Sequence, residues 1–249
     1  MAGHSHSANI ARRKNAVDAK RAKIFSKCAR AVMSAVKQGG PDPEANLKLR
    51  YAIEKAKAEN MPKENIARAI KRASGEGAGQ LEELNYEGYA PGGVALMISC
   101  LTDNRNRTAP EIKYIFEKRG GNLGSPGSVA FHFDFRSILV IETAGKEEDA
   151  ILEAALEAGA NDVEYDGDLA TVYAAPTDFL AVKQSLEDQG FTFLSAETGY
   201  VPTNTIRIEN KADASRILKL IEALEDNEDV QSVYANYDIP DDWIEELST

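Results

Sequence analysis

Cysteine is scarce: Cys28 and Cys100 are the only two in 249 residues, at no metal-ligand spacing. That excludes a disulfide scaffold and fits a reducing compartment, the cytoplasm. Histidine is scarcer than most enzymes need, with only His4, His6 and His132. No Ser/His/Asp elbow, zinc pattern or Cys/His pair stands at local spacing, so no catalytic residue, metal or cofactor is expected. Long apolar runs are missing as well. Val94–Leu101 is the longest, far too short to cross a bilayer, and the N-terminus lacks the apolar core of a secretory signal. Acidic residues are almost absent from residues 1–38, which hold nine Lys/Arg against Asp18 alone.

That last absence is local. The whole chain is acidic, with a net charge of -11. Residues 1–75 hold 17 Lys/Arg and 6 Asp/Glu, a surplus of +11, whereas residues 76–249 hold 12 and 34, or -22. A basic segment on an acidic remainder points to a polyanion partner for that segment only, because the remainder repels nucleic acid.

The basic segment reads as helical. Ile24, Phe25, Cys28, Val32, Ala35 and Val36 form one stripe that ends at Gly39-Gly40-Pro41. Asp42 reads as the N-cap of a second helix with Pro43 in its first turn, and Pro62 opens a third with Ile66, Ala69 and Ile70 inward. Residues 1–78 are therefore predicted to be an arm and a three-helix bundle. Beyond a Gly-rich linker, strands are expected at Leu84–Tyr89, Val94–Leu101 and Val129–Phe135, with a helix from about Ala109 to Arg119. Residues 137–200 read as βαββαβ, the ferredoxin-like order, with a hairpin at Asp166-Gly167. A last β-α-β would rejoin strands 84–135. The fold class is α+β: a helical bundle followed by two α+β domains. One comprises residues 79–136 and 201–249, and the 137–200 domain is inserted in it.

Two constellations carry the candidate chemistry. Arg12, Arg13, Lys14, Lys20, Arg21, Lys23, Lys27 and Arg30 lie in the arm and the helix it feeds, and Arg13, Lys20, Lys23, Lys27 and Arg30 fall largely on the side away from the apolar stripe. Such a face can lie along a phosphate backbone. The basic helix also carries the bundle's first stripe, which a transit peptide would not. The second is Thr102-Asp-Asn-Arg-Asn-Arg-Thr108. Thr108 and Glu111 fit a capping box, which would set Asn104, Arg105, Asn106 and Arg107 at a helix N-terminus, where the Arg forks can grip phosphate. The glycine-rich Gly120–Ser128 could cradle phosphate through its amides, but it lacks the P-loop pattern and reads as a helix stop and turn. His132 reads as structural. The first nine residues form a small, polar arm.

Several segments resemble the YebC/PmpR family: Met1–Ser5, Asp18–Arg21, Lys23–Phe25, Asp42–Asn46, Asn60–Lys63, Tyr86–Tyr89, Pro91–Val94, Thr102–Thr108, Gly120–Gly124, Gly127–Ala130 and Asn236–Pro240. The resemblance spans the chain from Met1. It implies a helical bundle and two α+β domains, one inserted in the other. It also implies a regulator of transcription or, as in the mitochondrial translational activator of cytochrome c oxidase, a ribosome-associated factor that relieves stalling on proline runs. Gly3, His4, Ser5 and Asn9 of the family's N-terminal motif join the nucleic-acid-binding candidates. His6 and Ser7 stand where the family usually has Lys and Trp, so base stacking is not expected there. The expectation is a monomeric, cytoplasmic RNA-binding protein with the ribosome and its rRNA as partner, no membrane contact, and DNA as the alternative target.

Overall fold

The computed structural model describes residues 21–75 and 81–247. The chain divides into two compact units: residues 134–201 form one, and residues 20–133 with 202–249 form the other.

The larger unit opens with three helices, α1 (Arg21–Gly39), α2 (Leu47–Ala58) and α3 (Lys63–Ser74). Val32, Ala35, Val36, Leu49, Ala69 and Ala73 form one core cluster of this bundle, and Cys28, Ala56, Met61 and Ile66 form a second. The second helix starts later than expected. Its N-cap is Asn46, and Asp42 instead caps a short turn by accepting from the Glu44 amide at 3.0 Å. The reason lies in what an amide can do and a carboxylate cannot. The Asn46 Oδ1 accepts from the Leu49 amide at 3.0 Å, while its Nδ2 donates to the Ala35 and Gly40 carbonyls at 2.8 Å each. One buried side chain thus satisfies an orphan donor of α2 and ties it to carbonyls at the end of α1. Gly39 is needed for this approach, since a Cβ there would lie 2.7 Å from the Asn46 side chain.

The bundle is followed by β1 (Glu82–Tyr89), β2 (Ala95–Thr102), α4 (Arg105–Lys118) and the short β3 (Asn122–Leu123). After the smaller unit come β8 (Ile206–Arg207), α7 (Lys211–Glu225), β9 (Val230–Ala235), β10 (Tyr237–Asp238) and α8 (Asp241–Leu247). The sheet order is β3-β1-β2-β9, so the C-terminal segment does rejoin the early strands, while β8 and β10 pair in parallel. Ile112 and Phe116 of α4 and Ile217, Leu220, Ile221 and Leu224 of α7 fill the core against Leu96, Ile98 and Val230. Burying each large apolar side chain contributes about 1.5–3 kcal/mol.

The smaller unit contains β4 (Phe133–Glu142), α5 (Glu148–Glu157), β5 (Asp162–Asp166), β6 (Leu169–Ala174), α6 (Phe179–Asp188) and β7 (Phe193–Pro202). Its sheet order is β5-β6-β4-β7 with antiparallel β5–β6 and β4–β6 pairs, the ferredoxin-like arrangement. Ile138, Val140, Leu169 and Tyr173 form a core cluster.

The strand expected over 129–135 begins only at Phe133, after a 3-10 turn at Ala130–His132. The amides of Gly127, Val129 and Ala130 donate to the Glu87 carboxylate at 2.6, 2.7 and 2.9 Å, which draws this segment off any strand ladder.

Candidate nucleic-acid interface

Among the residues expected to bind a polyanion, Gly3, His4, Ser5, Asn9, Arg12, Arg13, Lys14 and Lys20 lie outside the described residues. Arg21 opens α1. The other basic residues of that helix are not an open face. Lys23 pairs with Asp226 at 3.1 Å, and the Lys27 ammonium donates to the Glu225 carbonyl at 2.6 Å. Arg30 donates to the Asp229 carboxylate and the Leu101 carbonyl at 2.8 Å each, and to the Glu228 carbonyl at 3.2 Å. All three therefore meet the turn between α7 and β9. That turn presents the C-terminal carbonyls of α7, the negative end of a helix dipole, together with two carboxylates.

Asp229 organises this junction. It is 1% exposed and accepts from the hydroxyls of Thr102 (3.1 Å) and Thr108 (2.7 Å) and from the guanidinium groups of Arg30 (2.8 Å) and Arg107 (2.9 Å). Burial by itself would raise the Asp229 pKa. The hydrogen bonds from Thr108, Arg107, Arg30 and Thr102 outweigh that and hold it below the usual carboxylate range. Lys27 is lowered to about 8, because burial outweighs the attraction of Glu225 and Asp226. Cys100 is pushed up to about 12, first by burial and then by Asp229, so its thiol is inert.

The Asp229 junction also redistributes the Asn-Arg loop. The helix starts at Arg105, not near Ala109, and its N-cap is Asn104, whose Oδ1 accepts from the Arg107 amide at 3.2 Å. Thr108, expected as the cap, is wholly buried inside the helix because its hydroxyl is held by Asp229. Pro110 is tolerated in the second turn, where its missing N–H leaves only the Asn106 carbonyl of an exposed first turn without an intrahelical donor. Arg107 is tied to Asp229 and to Asp103. Asn106 and Arg105 face solvent, Arg105 with its side chain 68% exposed and Glu82 3.8 Å away. The seven-residue motif thus divides: Thr102, Asp103, Asn104, Arg107 and Thr108 build the junction, and Arg105 and Asn106 are presented outward.

The glycine-rich loop does not offer its amides to a ligand. Glu87, itself buried, occupies those of Gly127, Val129 and Ala130. Gly120 stops α4 with φ +75°, as expected of the helix end. His132 is half-buried, with its Nδ1 3.0 Å from the Asn204 Oδ1.

One basic surface was not read from the sequence. Lys63, Arg68, Lys71 and Arg72 are all exposed on α3, and Arg68, Lys71 and Arg72 lie opposite the buried Ile66, Ala69 and Ala73. Among the described residues none of the four has an ion-pair or hydrogen-bond partner. Their spacing opposite the apolar stripe was the available signal, hidden by the denser charge of the arm. Among the described residues no cluster of His, Cys, Asp or Glu could hold a metal ion, and no helix is long and apolar enough to cross a membrane.

A model of the TACO1/YebC N-terminal domain matches residues 5–76, and one of the TACO1/YebC second and third domain matches residues 81–237. A probable transcriptional regulatory protein of Rubrobacter xylanophilus is 49% identical over the full length of both chains. Another, from Geobacillus kaustophilus, is 52% identical over 96% of this chain and 98% of its own. The crystal structure of a conserved hypothetical protein from Aquifex aeolicus is similar at a TM-score of 0.80 and 45% identity, covering 90% of this chain and 92% of that one.

Proposed function

The chain belongs to the TACO1/YebC family, and from that premise we propose that it is an RNA-binding factor that associates with the ribosome and helps relieve stalling, as on proline-rich stretches. The observation that carries this reading is the partition of charge. A surplus of +11 sits in residues 1–75 and -22 in the rest, so one small helical segment is built to meet a polyanion. Arg105 and Asn106, at the exposed N-terminus of α4, would add a second contact to phosphate or base edges. The acidic remainder would limit how the protein lies on nucleic acid. No reaction is assigned to it.

A DNA-binding regulator is the second reading, favoured by the name its relatives carry. In-cell cross-linking with recovery of the bound nucleic acid separates the two. Recovery of rRNA, together with co-sedimentation with ribosomes, is expected. Recovery of promoter DNA alone would overturn the translational reading.

A further inference from the structure

Several surface cations among the described residues are neutralised locally. Lys23 meets Asp226, Lys48 meets Glu83, Lys57 meets Glu54, and Arg30 and Arg107 share Asp229. That is the expected outcome in a chain with 40 acidic and 29 basic residues. α3 departs from it. At 100° per residue, Arg68, Lys71 and Arg72 fall within about a third of the helix circumference, centred away from the buried stripe. Lys63, at the first position, falls off that face, beside the buried Ile66. Glu64 is the only acid on the helix.

Helix-dipole compensation accounts for part of this row, since Lys71 and Arg72 lie in the last turn. It does not account for Arg68 in the middle, and it disfavours Lys63 in the first turn. The packing supplies a second observation. Cys28, Met61 and Ile66 share a cluster with Ile24 and Phe25. The start of α1 therefore lies at the Lys63 end of α3.

We infer that the outward face of α3 is a phosphate-backbone contact surface for RNA, with Arg68, Lys71 and Arg72 as the gripping side chains. This rests on the RNA-binding reading above and relocates its main folded contact. The α1 cations are engaged by the α7–β9 turn, whereas Arg68, Lys71 and Arg72 form no ion pair among the described residues, although Glu64 shares their face one turn before Arg68. Three cations on one helix face suit phosphate contacts, which position a nucleic acid.

The test uses the full chain and a 20-nucleotide oligouridine, with affinity followed by anisotropy against salt. The triple variant Arg68→Gln, Lys71→Gln, Arg72→Gln is expected to weaken binding at least about tenfold at low salt. It should flatten the log-log salt slope by about 2, near 0.7 per lost single-strand contact. The charge-keeping triple Arg68→Lys, Lys71→Arg, Arg72→Lys should restore most of both. All three positions are exposed, so circular dichroism should show each variant folded. An unchanged slope in the Gln variant, or no oligouridine binding by the parent chain, overturns the α3 surface. Ribosome co-sedimentation of the parent chain then decides separately whether the translational reading survives. Loss confined to a 20-base-pair DNA duplex, with RNA binding unaltered, overturns RNA as the occupant.

Discussion

Arg30 and Asp229 lie 199 positions apart in the chain and 2.8 Å apart in the fold. The contact joins the first helix of the bundle to the start of β9, and it closes around a carboxylate that also holds Thr102, Thr108 and Arg107. Removing Asp229 would leave four donors without their common acceptor. Asp229→Ala is expected to cost about 3–5 kcal/mol, the range for breaking a buried ion pair. For a chain of this size that lowers the melting temperature by about 6–20 °C in thermal unfolding. Because its folded pKa is depressed, the contribution is complete above the ordinary Asp value of about 3.9 and is lost as pH falls through the lower folded value. Acid titration of Asp229→Asn should lack that part of the transition.

Arg105 and Arg107 should separate. Arg107→Ala removes a bond to buried Asp229 and is expected to reduce thermal stability. Arg105→Ala is expected to leave melting within about 0.5 kcal/mol, since the side chain is exposed and its Glu82 contact is long. If the α4 N-terminus touches RNA, Arg105→Ala lowers affinity at constant stability. Equal melting losses in both variants would contradict the division of the motif.

Lys27 should leave a mark on stability at alkaline pH. Its folded pKa is about 8 against an ordinary value of 10.5, so between these the unfolded chain holds a proton that the folded one has released. Stability contributed at this site therefore rises with pH across that window. Denaturant midpoints of the parent chain should rise relative to those of Lys27→Met from pH 8 to about pH 10. A constant difference between the two would show that Lys27 does not titrate there.

Glu87 holds the glycine-rich loop through three amides. Glu87→Ala leaves these N–H groups without their acceptor, at about 1–3 kcal/mol for each that stays buried. Amide exchange of Gly127, Val129 and Ala130 should accelerate well before exchange in β2. Unchanged protection at these three amides would show that something other than the carboxylate holds the turn.

Periodicity made the helices, the hairpin at Gly167 and the βαββαβ order legible, because each is set by neighbours within one element or turn. The short-range grammar failed where a distant partner competed. Asn46 displaced Asp42 as a cap because it could also donate to α1, and Asp229 drew Thr108 inside a helix that it was expected to begin. Glu87 likewise curled the stretch before Phe133, whose alternation reads as a strand.

The amino-acid sequence by itself determined the α+β class, the family resemblance and the concentration of positive charge before residue 76. These depend on composition, local spacing and motif, and no contact is needed to see them. Which of those charges remain available was decided only by tertiary structure. A cation's field is largely cancelled once a carboxylate or a helix C-terminus lies within hydrogen-bond distance, and the α7–β9 turn that does this to Lys23, Lys27 and Arg30 is about 200 residues away in the chain.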